Sequence, residues 1–256
     1  MAQQDGAKEH GPLEQFEIHA IAPQEIAGVD VSFTNSALWM VIVVTGMSLF
    51  MLGGMRRNAL VPGRWQTMVE MAYEFIAGMV RDNVGRDGKR YFPFIFTLFM
   101  FILGANMAGM IPYSFTVTSH IAVTFALAMV VFVGVTLIGL LKHGAGFLKL
   151  FAPSGVPMAL MPLIVPIELM SYLTRPISLS VRLFANMLAG HIMMKVFAGF
   201  VISLGAMGAA GALGAVLPFA FNLFLTGLEI LVAFLQAYVF AILSCLYLHD
   251  ALHPAH

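Results

Sequence analysis

The chain has 256 residues, of which 60% are hydrophobic and 10% charged, with a mean hydropathy of +0.89 and a formal net charge of zero. A soluble domain is roughly 45–50% apolar and about 25% charged, so this composition indicates an integral membrane protein and excludes an ordinary soluble domain. The zero net charge supplies no field for nucleic acid, and a lone cysteine, Cys245, excludes an internal disulfide and a cysteine-based metal cluster.

Residues 1–35 mix charges with short apolar pieces and lack the basic start and apolar block of a secretory signal. They are expected to form an external N-terminal segment, with the first span directing insertion. A hydrocarbon core about 30 Å thick takes about 20 apolar residues per helix. Such runs cover residues 36–55, the first span, and residues 91–141, which hold the second (91–113) and third (121–141). Between them, residues 66–87 place Met68, Met71, Phe75, Ile76 and Val80 among Glu70, Glu74 and Arg81. This segment is too polar to span and is expected to lie on the membrane surface as an amphipathic interfacial helix.

Beyond residue 141 the pattern is harder to parse. Apolar residues run from Val156 to Leu204 through Pro157, Pro162, Pro166 and Pro176; a glycine- and alanine-rich stretch leads to Pro218, and a last run extends from Phe219 to Leu248. Lysine and arginine mark the cytoplasmic side. Seven of the thirteen lie between the first two spans, at Arg56, Arg57, Arg64, Arg81, Arg86, Lys89 and Arg90; residues 114–119 have none; and Lys142 and Lys149 follow the third span. The N-terminus is therefore expected outside, and residues 114–119 form an external loop. Two further passages return the C-terminus to the cytoplasm.

An arginine cannot shed its proton and is costly in hydrocarbon, yet Arg182 sits deep in an apolar run. At about 100° per residue, Glu168, Ser171, Arg175, Ser178, Arg182 and Asn186 share one sector of a helix. No acid lies three or four residues from Arg182, and Glu168 is fourteen residues away, about 21 Å along a straight helix. On the residues alone, Arg182 is either a structural charge or an electrostatic gate whose counterion comes from a partner. The last run repeats the anomaly with Glu229 and Gln236, seven residues apart on one face and separated by about 10 Å. Together with His191, whose imidazole type titrates near neutral pH when unperturbed, Glu229 makes a plausible proton relay. His191 lies about 180° around the helix from Arg182, so the two need not share a cavity.

Other polar residues say less. Asn106, beside small residues from Gly104 to Gly109, suits helix packing. His120 suits either a surface position or a pathway mouth. His249, His253 and His256 lack the companions of a metal site. No phosphate-binding loop, paired nucleophile and base, or HExxH pattern is present, so neither covalent chemistry nor a cofactor is expected. A secondary transporter would show paired repeats in its two halves, and none is visible.

The segment SLSVRLFANMLAGH (178–191), followed by GLEILVAFLQAYVFAILSCLYL (227–248), resembles the subunit a family of F-type ATP synthases. PLEQFEIH (12–19) and NMAGMIP (106–112) extend the likeness over nearly the whole chain. The resemblance implies an all-α integral membrane protein of about five membrane-embedded helices plus an amphipathic interfacial helix, with residues 156–249 forming a tilted proton-pathway hairpin. It implies a proton-translocating stator subunit, not catalytic alone, in a bacterial inner membrane or a mitochondrial one. Its partners would be a ring of c subunits, b-type peripheral stalk subunits and the lipid bilayer. Arg182 matches the essential arginine facing the ring carboxylate, and Asn186 and Gln236 match polar residues beside it. His191 and Glu229 match a pair in the externally open half-channel, and Glu168 matches an acidic position of the cytoplasmic one. Against the resemblance, the glycine- and alanine-rich turn at 199–219 is longer than in some relatives, so the pairing register of Arg182 against Gln236 cannot be taken from spacing alone.

Overall fold

The computed structural model describes residues 18–23, 25–26, 29–30, 32–56, 62–111, 114–151 and 160–253. With no water in a bilayer core to satisfy backbone N–H and C=O groups, an apolar chain spans it as helix. Accordingly, among the described residues five helices are long and apolar enough to cross: α1 (Asn35–Met55), α3 (Phe92–Gly109), α4 (Ile121–His143), α5 (Met161–Gly205) and α6 (Ala209–Leu252). A sixth, α2 (Arg64–Val84), lies between the first two. Ahead of α1, two short antiparallel pairs join Ala20–Ala22 (β1) to Phe33–Thr34 (β4) and Glu25–Ile26 (β2) to Val29–Asp30 (β3). Thr34 then caps α1, its hydroxyl accepting from the Ala37 N–H at 3.3 Å.

Helix α2 is tied to α1 by the Trp65 indole N–H, which donates to the Phe50 carbonyl at 2.9 Å. Its inward stripe is Val69, Ile76, Met79, Val80 and Val84. Met68 and Met71, which the composition grouped with Ile76 and Val80, are exposed instead, while Phe75, also exposed in part, sets its ring against Phe99, Phe234 and Tyr238. Apolar side chains thus occupy both the protein-facing and the outer side of α2.

The core runs through the bundle and is built from Ile95, Phe99 and Ile102 of α3, Val131 of α4, Leu179, Leu183 and Met187 of α5, and Phe240, Cys245 and Leu248 of α6. Helices α5 and α6 make the most extensive pairing. At 45 and 44 residues, each is about 65 Å long, roughly twice the hydrocarbon thickness, so neither fits a bilayer upright. Pro166 and Pro176 lie within α5 and Pro218 within α6.

The glycine- and alanine-rich stretch is not the long turn that its composition suggested. Helix α5 continues to Gly205 and α6 begins at Ala209. Gly208, at φ +86°, adopts the left-handed backbone that reverses the chain. Glycine lowers helix propensity in water, but a membrane helix keeps its backbone bonds regardless. The expected start of the hairpin at Val156 lies outside the described residues.

Candidate functional site

Along α5, Arg182 and Asn186 are exposed on the outer side of the helix. Asn186 Nδ2 donates to Gln236 Oε1 of α6 at 2.9 Å. This bond sets the register that spacing left open. Gln236 is buried, as is Glu229 on the same face of α6. Arg182 makes no hydrogen bond or ion pair among the described residues.

Arg175, on the same sector and about 10 Å away along the axis, has a different environment. Its Nη1 donates to Asp250 Oδ2 at 3.1 Å, and its guanidinium lies 5.3 Å from the Tyr172 ring centre and 4.9 Å from that of Tyr247. Tyr172 in turn shares a 2.6 Å hydrogen bond with Thr136 of α4. This arginine is clamped between α5 and α6 by charge and by two aromatic faces. Glu168 is half-buried near the start of α5 and is not brought to an ionic partner among the described residues.

The opposite side of α5 holds the second cluster. His191 and Glu229 are 5% and 4% exposed, and His191 Nε2 lies 3.5 Å from Glu229 Oε1. Gly190 makes room for the acid, since a Cβ there would stand 2.9 Å from Glu229 Oε1. Neither carboxyl oxygen of Glu229 takes a hydrogen bond among the described residues. A buried imidazole within reach of a buried carboxyl with unmet hydrogen-bonding capacity can pass or hold a proton. The two clusters thus present different chemistry: an exposed, permanently charged arginine outside, and an enclosed acid and imidazole within.

Composition missed a third contributor. Residues 114–119, expected as an external loop, fold back into the bundle, where Ser114, Thr116, Thr118 and Ser119 are all buried. Thr116 Oγ1 is 3.2 Å from His191 Nε2. Thr118 donates to Asn106 Oδ1 at 2.8 Å, and Asn106 Nδ2 donates to the Ala233 carbonyl of α6 at 3.2 Å. Asn106 therefore joins α3, this loop and α6. The hydroxyl-rich composition SFTVTS was the available signal, because a charge-free external loop has no need of four hydroxyls. His120 stacks on Phe115, ring centres 4.9 Å apart.

Beyond the apolar runs, Lys142 Nζ in the last turn of α4 meets Asp87 Oδ2, in the connection between α2 and α3, at 2.9 Å. The ammonium's hydrogen bond and charge hold the Asp87 carboxyl below its usual value of 3.8. His249 and His253 stack 5.0 Å apart. Among the described residues, no group of three histidine, cysteine, aspartate or glutamate side chains could hold a metal ion; His256 lies outside them.

Residues 37–249 match the family model described as ATP synthase A chain. The chain is 64% identical to ATP synthase subunit a of Parvibaculum lavamentivorans, over 96% of this chain and 94% of that one. It is 62% identical to ATP synthase subunit a of a Chelativorans species, over 96% and 98% of the two chains. The protein of the same name from Mesorhizobium japonicum is 59% identical, over 96% and 97%.

Proposed function

Because the chain belongs to the ATP synthase A chain family, a multi-pass membrane component of the ATP synthase that is not catalytic by itself, we propose that it is the stator which routes protons to and from a ring of c subunits through two aqueous half-channels. The observation that carries this reading is the contrast between two arginines on one sector of α5. Arg175 is neutralised by Asp250, while Arg182 faces outward with no acid of its own among the described residues. A permanently charged group at membrane depth requires a counterion, and a carboxylate on a neighbouring ring supplies it.

Protons enter from the external side past His191 and Glu229 and neutralise a ring carboxylate, which then moves into lipid without the cost of burying charge. After nearly a full turn the site returns, releases its proton towards the cytoplasm near Glu168, and as an anion is drawn to Arg182. Asn186 and Gln236, bonded to each other, hold the α5–α6 pair in register beside the arginine. The fixed cation raises the barrier to a proton crossing directly between the half-channels. One charge moved through 100 mV yields about 2.3 kcal/mol, so several protons are combined for each ATP made elsewhere in the complex. In this reading the N-terminus is external and the C-terminus cytoplasmic. The protein sits in a bacterial inner membrane, α2 lies along the membrane surface, and b-type stalk subunits hold the stator.

Cysteine cross-linking tests the assignment of the ring-facing side. In a Cys245→Ala background, a cysteine at Ser178, exposed on the Arg182 sector, should form a disulfide with one placed beside the ring carboxylate. A cysteine at Ile177, exposed but about 100° further round, should not. Cross-linking through position 177 and not 178 would overturn the assignment.

A further inference from the structure

The loop carrying Thr116 is built into the bundle rather than draped over it. Ser119 Oγ donates to the Thr116 carbonyl at 2.6 Å, Thr118 is held by Asn106, and Thr116 itself is fully buried. Gly109 of α3 is shaped to receive it, since a Cβ at that glycine would meet Thr116 Cγ2 at 2.8 Å and Oγ1 at 3.1 Å. Among the described residues the hydroxyl has two hydrogen-bonding partners: the Gly109 carbonyl, to which it donates at 3.4 Å, and His191 Nε2 at 3.2 Å.

A carbonyl only accepts, whereas an imidazole nitrogen donates when it carries a proton and accepts when it does not. We propose that Thr116 is a positioning residue for proton transfer at the His191–Glu229 pair, its hydroxyl serving Nε2 in both protonation states by turning between that nitrogen and the Gly109 carbonyl. This rests on the proposed reading of His191 and Glu229 as the external proton pathway. When Nε2 bears hydrogen, Thr116 points its own proton at Gly109 and accepts from the ring. A proton arriving at Nδ1 gives the imidazolium, and the Nε2 proton then passes to the Glu229 carboxylate, forming its O–H bond as the N–H bond breaks. The ring is left neutral with hydrogen on Nδ1, and the Thr116 hydroxyl swings to donate to the bare Nε2. The transfer itself closes the 3.5 Å gap between Nε2 and Glu229 Oε1 by a small movement of the carboxylate or the ring, and the buried nitrogen is hydrogen-bonded before and after it. Glu229 Oε1, at 3.5 Å, is too distant to hold the ring in the same way.

Valine reproduces the shape of threonine without its hydroxyl, and serine keeps the hydroxyl without the methyl. ATP-driven proton uptake is measured in proteoliposomes of the whole complex, with assembly and ATP hydrolysis followed alongside. Thr116→Val should assemble and pump about tenfold more slowly or worse, Thr116→Ser should stay close to wild type, and Thr116→Val with His191→Ala should be no slower than His191→Ala alone. Thr116→Ala guards against a packing effect peculiar to valine and should also be slow. Wild-type pumping by assembled Thr116→Val, with His191→Ala inactive, would overturn the role of Thr116 alone. Assembly of only the serine variant would make the residue purely structural and overturn it too. Normal pumping by His191→Ala would remove the proton pathway on which the inference stands.

Discussion

Gly190→Ala is a one-methyl perturbation aimed at the enclosed acid and imidazole. The added Cβ would lie 2.9 Å from Glu229 Oε1 and 3.2 Å from its Cδ, where ordinary contacts begin at 3.4 Å. The carboxyl must therefore retreat by about half an ångström, yet Glu229 is only 4% exposed and has little room to do so. Overpacking of this kind costs about 1–3 kcal/mol. If that cost falls on the transfer geometry, it slows proton movement by roughly 5- to 150-fold, at about 1.4 kcal/mol per factor of ten. ATP-driven quenching of a pH-sensitive dye in inverted vesicles reads the rate, normalised to assembled complex. Gly199→Ala, on the same helix with nothing within 4 Å of the new methyl, should be silent. Undiminished pumping by an assembled Gly190→Ala complex would refute the claim that the position of Glu229 against His191 matters.

The Arg175 clamp makes a graded prediction. Asp250→Asn should lower stability by under about 1 kcal/mol because the acid is 42% exposed, whereas Arg175→Ala should cost about 1–2 kcal/mol by also removing two cation–π contacts; equal losses in thermal denaturation of the complex would count against the aromatic contribution. Gly139→Ala would drive a methyl into the Phe147 ring and should lower stability by about 1–3 kcal/mol, while Gly134→Ala, with open space around it, should not. Because Lys142 depresses the Asp87 pKa, the stabilisation is present above the unfolded value near 3.8 and is lost as pH falls through the lower folded value. The difference in melting temperature between wild type and Lys142→Gln should accordingly close in acid, and a gap that widens there would contradict the assignment.

Much of this architecture was legible because the bilayer imposes coarse rules. Span lengths follow hydrocarbon thickness, and a helix turns 100° per residue whatever its neighbours, so the shared sector of Arg182 and Asn186 and the opposed position of His191 could be read directly. The pairing of Asn186 with Gln236 could not, because it depends on where α5 stops, and glycine-rich sequence marks turns in water but not in lipid. The same limit hid the partner of Arg175. Asp250 lies 75 residues away, and nothing local to either residue announces the other. The burial of the loop around Thr116 was hidden for a different reason. Absence of lysine and arginine reports the side of a loop, not whether it folds back between helices, so SFTVTS left the burial of its four hydroxyls unread. In α2, both faces carry apolar side chains, and composition cannot tell which set meets protein.

The central claim is that Arg182 separates two proton paths, and Arg182→Ala in inverted membrane vesicles tests it most directly. With assembly of the complex verified, driven and passive proton movement are measured in the same preparation. ATP-driven pumping should be lost, and a passive proton leak should appear where the fixed charge had blocked it. Normal, coupled pumping by the assembled variant, without a leak, would contradict that claim and reduce Arg182 to a structural charge.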